Sequence, residues 1–169
     1  KIETSPLSNY NIVVVDQTLK HNSSISLINT NVWRSGTDYD ANVTAALFDI
    51  NNKTNMWNIG GKIANSNLIG YLPQSKTQSG YSHTLYFGKT SGRFNFNIQQ
   101  ELVNGKFNSN DLGYFTFNNY LDHNLWVGYK WIEPGKWYNR IFLNFNAYYS
   151  RRLEPGDFQS ASINTSVNA

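Results

Sequence analysis

Apolar and polar residues alternate along this chain in segments of about ten residues. From Tyr39 the odd positions read Tyr39, Ala41, Val43, Ala45 and Leu47, against Asp40, Asn42, Thr44 and Ala46 at the even ones. Phe94, Phe96 and Ile98 interleave with Arg93, Asn95 and Asn97, and Ile141, Leu143, Phe145, Ala147 and Tyr149 interleave with a set that includes Arg140, Asn144 and Asn146. A period of two means β-strands with one dry face and one wet face. The pattern predicts about nine strands, near residues 10–19, 24–34, 39–50, 56–66, 81–89, 93–103, 117–131, 138–151 and 158–168. In the first two the alternation breaks, at the continuous apolar residues 12–15 and at Ile28 after Leu27. These two fit either barrel strands meeting an inner plug or irregular strands. A strand of about eleven residues, rising roughly 3.3 Å per residue and tilted by about 45°, covers a bilayer core, whereas soluble sheets use strands of about five or six.

The connections carry their own signals. Asn51-Asn52-Lys53-Thr54, Thr90-Ser91-Gly92 and Glu133-Pro134-Gly135-Lys136 read as tight hairpin turns. In Glu133-Pro134-Gly135 and Glu154-Pro155-Gly156, Pro presets φ and Gly supplies the positive φ that a type II turn requires. Residues 67–80 and 104–116, by contrast, read as long polar loops rich in Gly, Ser and Asn. Both fall at one end of the strand set and the short turns at the other, the arrangement of outer-membrane barrels with long extracellular loops and short periplasmic turns. Tyr39, Trp57, Tyr81, Trp131, Trp137, Tyr138 and Tyr149 lie where strands begin or end. There they would form an interfacial aromatic girdle, or pack between the sheets of a soluble sandwich.

Composition agrees with a membrane barrel. Charged residues make up 15% of the chain and aromatic residues another 15%, while asparagine occurs 25 times. Typical soluble domains carry about 25% charge, so the polarity here is of the uncharged kind that lines a hydrated lumen. The net charge of +3 comes from Lys and Arg placed singly, without the basic runs that track phosphates, and nucleic acid is not an expected partner. There is no cysteine, which excludes disulfides and thiolate metal sites. No apolar run approaches the length of a membrane helix, so membrane entry would be by strands.

Catalytic and metal-binding constellations are not expected. His21, His83 and His123 have no spacing that sets two on one strand face, and Asp122 points away from its neighbour His123. Asn108-Ser109-Asn110-Asp111-Leu112-Gly113 starts like a calcium loop but lacks the closing acidic residue, and it reads as a turn-rich surface loop. Glu133 and Glu154 precede Pro-Gly in turns at opposite ends of the strand set, so they make no carboxylate pair. The Asn-x-Ser/Thr triplets at Asn22, Asn42, Asn52 and Asn164 follow from the abundance of asparagine. The expectation is a protein that is not an enzyme and that has no catalytic residue, no cofactor and no metal.

Asn110-Asp111-Leu112-Gly113-Tyr114-Phe115, Asn118-Asn119-Tyr120-Leu121-Asp122-His123 and Leu125-Trp126-Val127-Gly128-Tyr129-Lys130-Trp131 together resemble the barrel portion of a large uncharacterised outer-membrane family of Bacteroidota. Lys136-Trp137-Tyr138-Asn139-Arg140, Leu143-Asn144-Phe145-Asn146, Asp16-Gln17-Thr18-Leu19 and Tyr39-Asp40-Ala41-Asn42-Val43-Thr44 extend the resemblance over most of the chain. It implies a carbohydrate-binding family-nine-like domain ahead of a C-terminal barrel, and these residues belong to the barrel portion alone.

The sequence is therefore read as all-β: a transmembrane antiparallel up-and-down β-barrel in the bacterial outer membrane, of which residues 1–169 supply about nine consecutive strands of one domain. The absence of an initiator Met or signal peptide at Lys1, and the run Ala161, Ile163, Thr165, Val167 still alternating near Ala169, set the expectation of a piece of a longer barrel. The expected role is a pore or transport channel, or a membrane anchor for a carbohydrate-binding domain. Outer-membrane lipid is the expected partner, with other outer-membrane proteins and carbohydrate as further candidates. A fragment of a TonB-dependent nutrient receptor and a soluble glycan-binding β-sandwich are the alternatives.

Overall fold

The computed structural model describes residues 6–113 and 117–169. Lys1 lies outside these described residues, as do Tyr114 and Phe115 of the quoted resemblance and Thr116 of the long connection. Among the described residues nine strands form one antiparallel sheet: β1 (Ser8–Leu19), β2 (Ser23–Arg34), β3 (Asp40–Asn51), β4 (Trp57–Leu72), β5 (Lys76–Lys89), β6 (Phe94–Val103), β7 (Tyr120–Trp131), β8 (Ile141–Arg152) and β9 (Phe158–Asn168). Each strand pairs with the next in the chain, in the order β1 to β9. The number of strands, their type and the up-and-down order are those the alternation predicts. Closure into a ring is not present within this chain: β1 and β9 are the two edges of an open sheet, and neither has a second partner strand among the described residues. Helical geometry among the described residues is confined to the turn Pro73–Ser75. Among the described residues no helix is long and apolar enough to cross a membrane, which says nothing of strands.

Residues 67–80 are a correction. They do not form a loop but prolong the β4–β5 hairpin, with Asn67 opposite Ser79, Leu68 opposite Gln78 and, past a bulge, Leu72 opposite Lys76. Their Asn, Ser and Gln side chains have turn-like composition, yet they bond across the ladder. Asn65 Nδ2 donates across it to Gly80 O at 3.0 Å and Ser79 Oγ to Asn67 Oδ1, while Asn67 Nδ2 donates along β4 to Asn65 Oδ1 at 2.6 Å. Polar cross-strand pairs thus stabilise a hairpin that composition alone reads as loop.

The sorting of connections by length is partial. Residues 20–22, 52–56, 90–93 and 132–140 connect strands at one end, and 35–39, 73–75, 104–119 and 153–157 at the other. The longest connection is at the second end as expected, but 132–140 is also long, while 35–39 and 153–157 are short. Glu133 and Glu154 do fall at opposite ends. The positive φ expected of the glycine after Pro is found at Gly156 and not at Gly135. The Glu154–Pro155 peptide is cis, with Gly156 at φ +103°. The other turn closes by Gly135 N donating to Tyr138 O at 2.9 Å, and Gly135 is not left-handed.

A two-faced sheet and an infolded connection as candidate functional site

Across the middle of β3 to β9 the strand registers set rows of opposite chemistry on the two faces of the sheet. One continuous cross-strand row runs Ile50, Ile59, Phe87, Ile98, Leu125, Ala147 and Ile163, from β3 to β9. Every member is apolar, and the row is uncovered: Ile98 is 52% exposed and Ile163 74%. One residue away along each strand, on the opposite face, the row reads Ser24, Asp49, Gly60, Tyr86, Gln99, Asn124, Tyr148 and Ser162. No aliphatic side chain interrupts it. We call the first face outer and the second inner.

The outer face also holds aromatic residues near the end carrying turns 52–56, 90–93 and 132–140. Trp57 stacks on Phe87 with centroids 5.7 Å apart and meets Phe96 edge-on at 6.0 Å, and Tyr129 packs on Trp131 at 4.6 Å. Towards the other end the belt gives way to Asn29, Thr44, Asn65 and Tyr81 in one cross-strand row, and to Gln100, His123 and Tyr149 in another. Of the aromatics expected to form a girdle, Trp57, Tyr81, Trp131 and Tyr149 share this outer face by strand parity. Tyr39 does not, because it turns inward, and Trp137 and Tyr138 pack on each other in the 132–140 connection at 4.9 Å.

The inner face is organised by carboxylates held by hydroxyls. Tyr86 Oη donates to Asp49 Oδ2 at 2.6 Å, Tyr120 Oη to Glu101 Oε1 at 2.7 Å, and Tyr148 Oη and Ser150 Oγ to the two oxygens of Asp122 at 2.9 and 2.6 Å. Glu101 and Asp122 are direct cross-strand neighbours. Such a like-charged pair is unfavourable, and each member is offset by its own hydroxyl donors. Around them lies a cleft of about 1020 Å³ lined also by Lys62, Ser82, Thr84 and Arg152.

β3 is reversed relative to the simplest reading of its alternation. Ala41, Val43, Ala45 and Leu47 are on the inner face, opposite Leu68, Ser66, Ala64 and Lys62, while Asn42 and Thr44 face out. The reason is the connection between β6 and β7, whose residues 104–113 fold back over the inner face. Phe107, only 6% exposed, packs with Ala64 and Val103, against Ala45 and Tyr120. Leu112 and Tyr39 pack against Val32, Ala41 and Leu68. Small apolar residues on β2 to β4 are therefore the floor on which this segment rests.

The docked segment is held by polar contacts as well. Asn108 N donates to Ser66 Oγ at 3.0 Å, and Gln78 Nε2 to Lys106 O at 3.1 Å. Arg34 Nη2 donates to Asp111 Oδ1, with the two side chains only 13% and 12% exposed. Tyr39 Oη reaches both Asp111 oxygens at 3.1 Å, the Arg34 guanidinium lies 4.7 Å from the Tyr39 ring centre, and Arg34 Nη1 donates to Tyr39 O at 2.7 Å. Burial, and then the Asp111 carboxylate beside it, raise the Tyr39 phenol above its ordinary pKa. The expectation of a surface loop at Asn108–Gly113 is thus corrected: the segment is rich in turns, with Leu112 N donating to Ser109 O at 2.9 Å, but it lies against the sheet. No local signal marks this docking, since the alternation of β3 shows an apolar face without saying what covers it.

The histidines do not converge. His21 sits in the β1–β2 turn at φ +61°, His83 bonds Gln100 at 3.1 Å, and His123 packs against Tyr149 on the outer face, while its neighbour Asp122 points inward. Among the described residues no group of three or more His, Cys, Asp or Glu could hold a metal ion.

The fold defines a sequential antiparallel β-sheet with an apolar mid-strand row on one face and a polar row beside it on the other. A family model described as "Domain of unknown function (DUF5916)" matches residues 1–169, and the chain belongs to this family. No curated protein and no solved structure matches it.

Proposed function

We propose that this chain is a run of consecutive strands from a transmembrane β-barrel of the bacterial outer membrane, a non-enzymatic protein that forms a pore or anchors a carbohydrate-binding domain, as in the Bacteroidota family it resembles. The observation that carries the reading is the pair of adjacent cross-strand rows, one wholly apolar from Ile50 to Ile163 with its members half-buried or exposed, the other hydrophilic from Ser24 to Ser162. A lipid-facing belt beside a hydrated lumen requires this one-residue offset in every strand, with aromatics such as Trp57, Tyr129 and Trp131 at the rim. A soluble glycan-binding sandwich would need a second sheet over the row containing Ile59, Phe87 and Ile98, whereas all nine strands belong to one sheet. Outer-membrane lipid is then the direct partner, and the open edges of β1 and β9 pair with further strands, since each unpaired backbone group in hydrocarbon costs several kcal/mol.

Cell fractionation of the full-length protein tests the proposal. It should sediment with outer membranes, require detergent for extraction and migrate differently on gels before and after heating. Recovery as a soluble, monodisperse protein without detergent overturns it. A plug domain ahead of these strands would assign the barrel to the TonB-dependent receptors.

A further inference from the structure

We infer that residues 104–113 form an inner constriction that sets the size of solute able to pass through the barrel, and that the Arg34–Asp111 ion pair is the latch holding it in place; the inference rests on the barrel reading above. The segment leaves the end of β6 and crosses the inner sides of β5, β4, β3 and β2 in turn. At β5, a Cβ on Gly80 would come within 2.2 Å of Phe107 N and 2.3 Å of its Cα, so the two backbones are in direct contact there. At β4 the segment bonds Ser66, at β3 and β4 Leu112 rests on Ala41 and Leu68, and at β2 Asp111 meets Arg34. Asn118, on the return to β7, donates to Gly105 O at 3.0 Å. A connection that only capped the barrel mouth would not need an apolar floor inside it. Here that floor replaces the polar residues the inner face carries elsewhere, as at Asn124 and Asn144.

The latch joins residues far apart in sequence across a nearly buried pair. Removing one partner strands the other charge away from water, so single substitutions release the segment more strongly than loss of a surface pair would. Two routes to release are independent: Asp111→Asn weakens the latch, and Gly80→Val blocks the backbone approach of Phe107.

The test uses the full-length protein reconstituted in liposomes, with neutral mono-, di-, tri- and tetrasaccharides as size probes in swelling assays, and hydrogen exchange of amides 104–113 as the second readout. The expected result is faster exchange in both variants together with several-fold faster entry of the larger sugars, while monosaccharide entry changes little. Faster exchange with unchanged size dependence overturns the constriction. Unchanged exchange in both variants overturns the latch and the docking contact. A wild-type protein that never associates with liposomes fails the barrel reading itself, a result distinct from the other two.

Discussion

The Tyr86 hydroxyl donates to the Asp49 carboxylate at 2.6 Å, from β5 to β3, with its ring laid across Gly60 of the intervening strand. Asp49, Gly60 and Tyr86 are consecutive members of one cross-strand row. A Cβ at Gly60 would lie 2.3 Å from Tyr86 Oη and 2.8 Å from Phe48 O, so the glycine is the space the ring occupies. Asp49 also accepts from Asn51 and Asn58 at 2.9 and 2.8 Å, which leaves it partly satisfied without the tyrosine. Tyr86→Phe should therefore cost only about 1 kcal/mol. Gly60→Val should cost more, about 2 to 3 kcal/mol, because the ring is expelled and the Phe48 backbone is crowded as well. Urea titration of the full-length protein in lipid measures both, and equal losses would show that the ring does not need the gap.

Ile98 and Gln99 are sequence neighbours on opposite faces. Ile98 faces Phe87 and Leu125 in the apolar row, and Gln99 faces Tyr86 and Asn124 in the polar one. With lipid outside, Ile98→Arg should destabilise by roughly 2 to 4 kcal/mol and Gln99→Arg by much less. Leu143 is less suitable for this comparison, since it is the third residue of β8 and sits opposite Tyr129 near the aromatic end. Folding titrations in vesicles give the two values. Similar costs would mean that both faces meet the same medium.

How much was legible in the sequence differs between these strands. In β6 and β8 the alternation fixed both the strand and its outward side, because their inner residues Asn95, Asn97, Asn144 and Asn146 are plainly polar. In β3 it predicted the strand but not which way it faced, since period two reveals an apolar face without saying whether lipid or protein covers it. Ala41, Val43 and Ala45 meet an infolded segment, and that segment is distant in sequence. Its own residues, Asn104 to Asn110, have the composition of a solvated loop, so the contact with Arg34 could not be read locally. The carboxylate–tyrosine pairs escaped notice for the same reason: Asp49 and Tyr86 come together only through the register of three strands.

Phe107 should be the main apolar anchor of the docked connection. It is 6% exposed against Ala64 and Val103, and truncating a buried Phe to Ala costs about 3 to 5 kcal/mol in well-packed sites. The Phe107→Ala variant should lie at the lower end of that range, because part of its surroundings is open cleft, and the loss should be confined to the 104–113 segment. Hydrogen exchange should then accelerate there and leave β6 to β8 unchanged. Uniform acceleration across the sheet would show Phe107 to be part of a global core instead.

Tyr39 should make the docking sensitive to alkaline pH. Its neutral hydroxyl is the donor to Asp111, with Arg34 against the ring and Tyr71 edge-on at 5.0 Å. Burial and Asp111 raise its pKa in the folded protein, with Arg34 opposing. A raised value favours the protonated form, so its contribution is complete below the unfolded value of about 10 and is lost as pH climbs through the higher folded value. Protection of amides 104–113, corrected for intrinsic exchange, should hold level up to about pH 9 and fall above about pH 10. In Tyr39→Phe that step should disappear. Its persistence in the variant would assign the alkaline transition to another group.

Residues 1–169 expressed alone should associate rather than remain monomeric. The sheet is open, with β1 and β9 as its edges, and every residue of β9 is exposed. Long unpaired edges pair with whatever strand they meet, and the exposed row through Ile59, Phe87 and Ile98 adds an apolar surface that water does not tolerate. In a bilayer the same edges would leave backbone groups unsatisfied, at several kcal/mol each, so lipid cannot rescue the isolated sheet unless copies pair edge to edge. Light scattering after refolding should show large assemblies both in buffer and in mild detergent, whereas the full-length protein should give a discrete detergent-stable species. A monodisperse, water-soluble monomer of residues 1–169 that unfolds cooperatively would defeat the edge argument and the membrane assignment together.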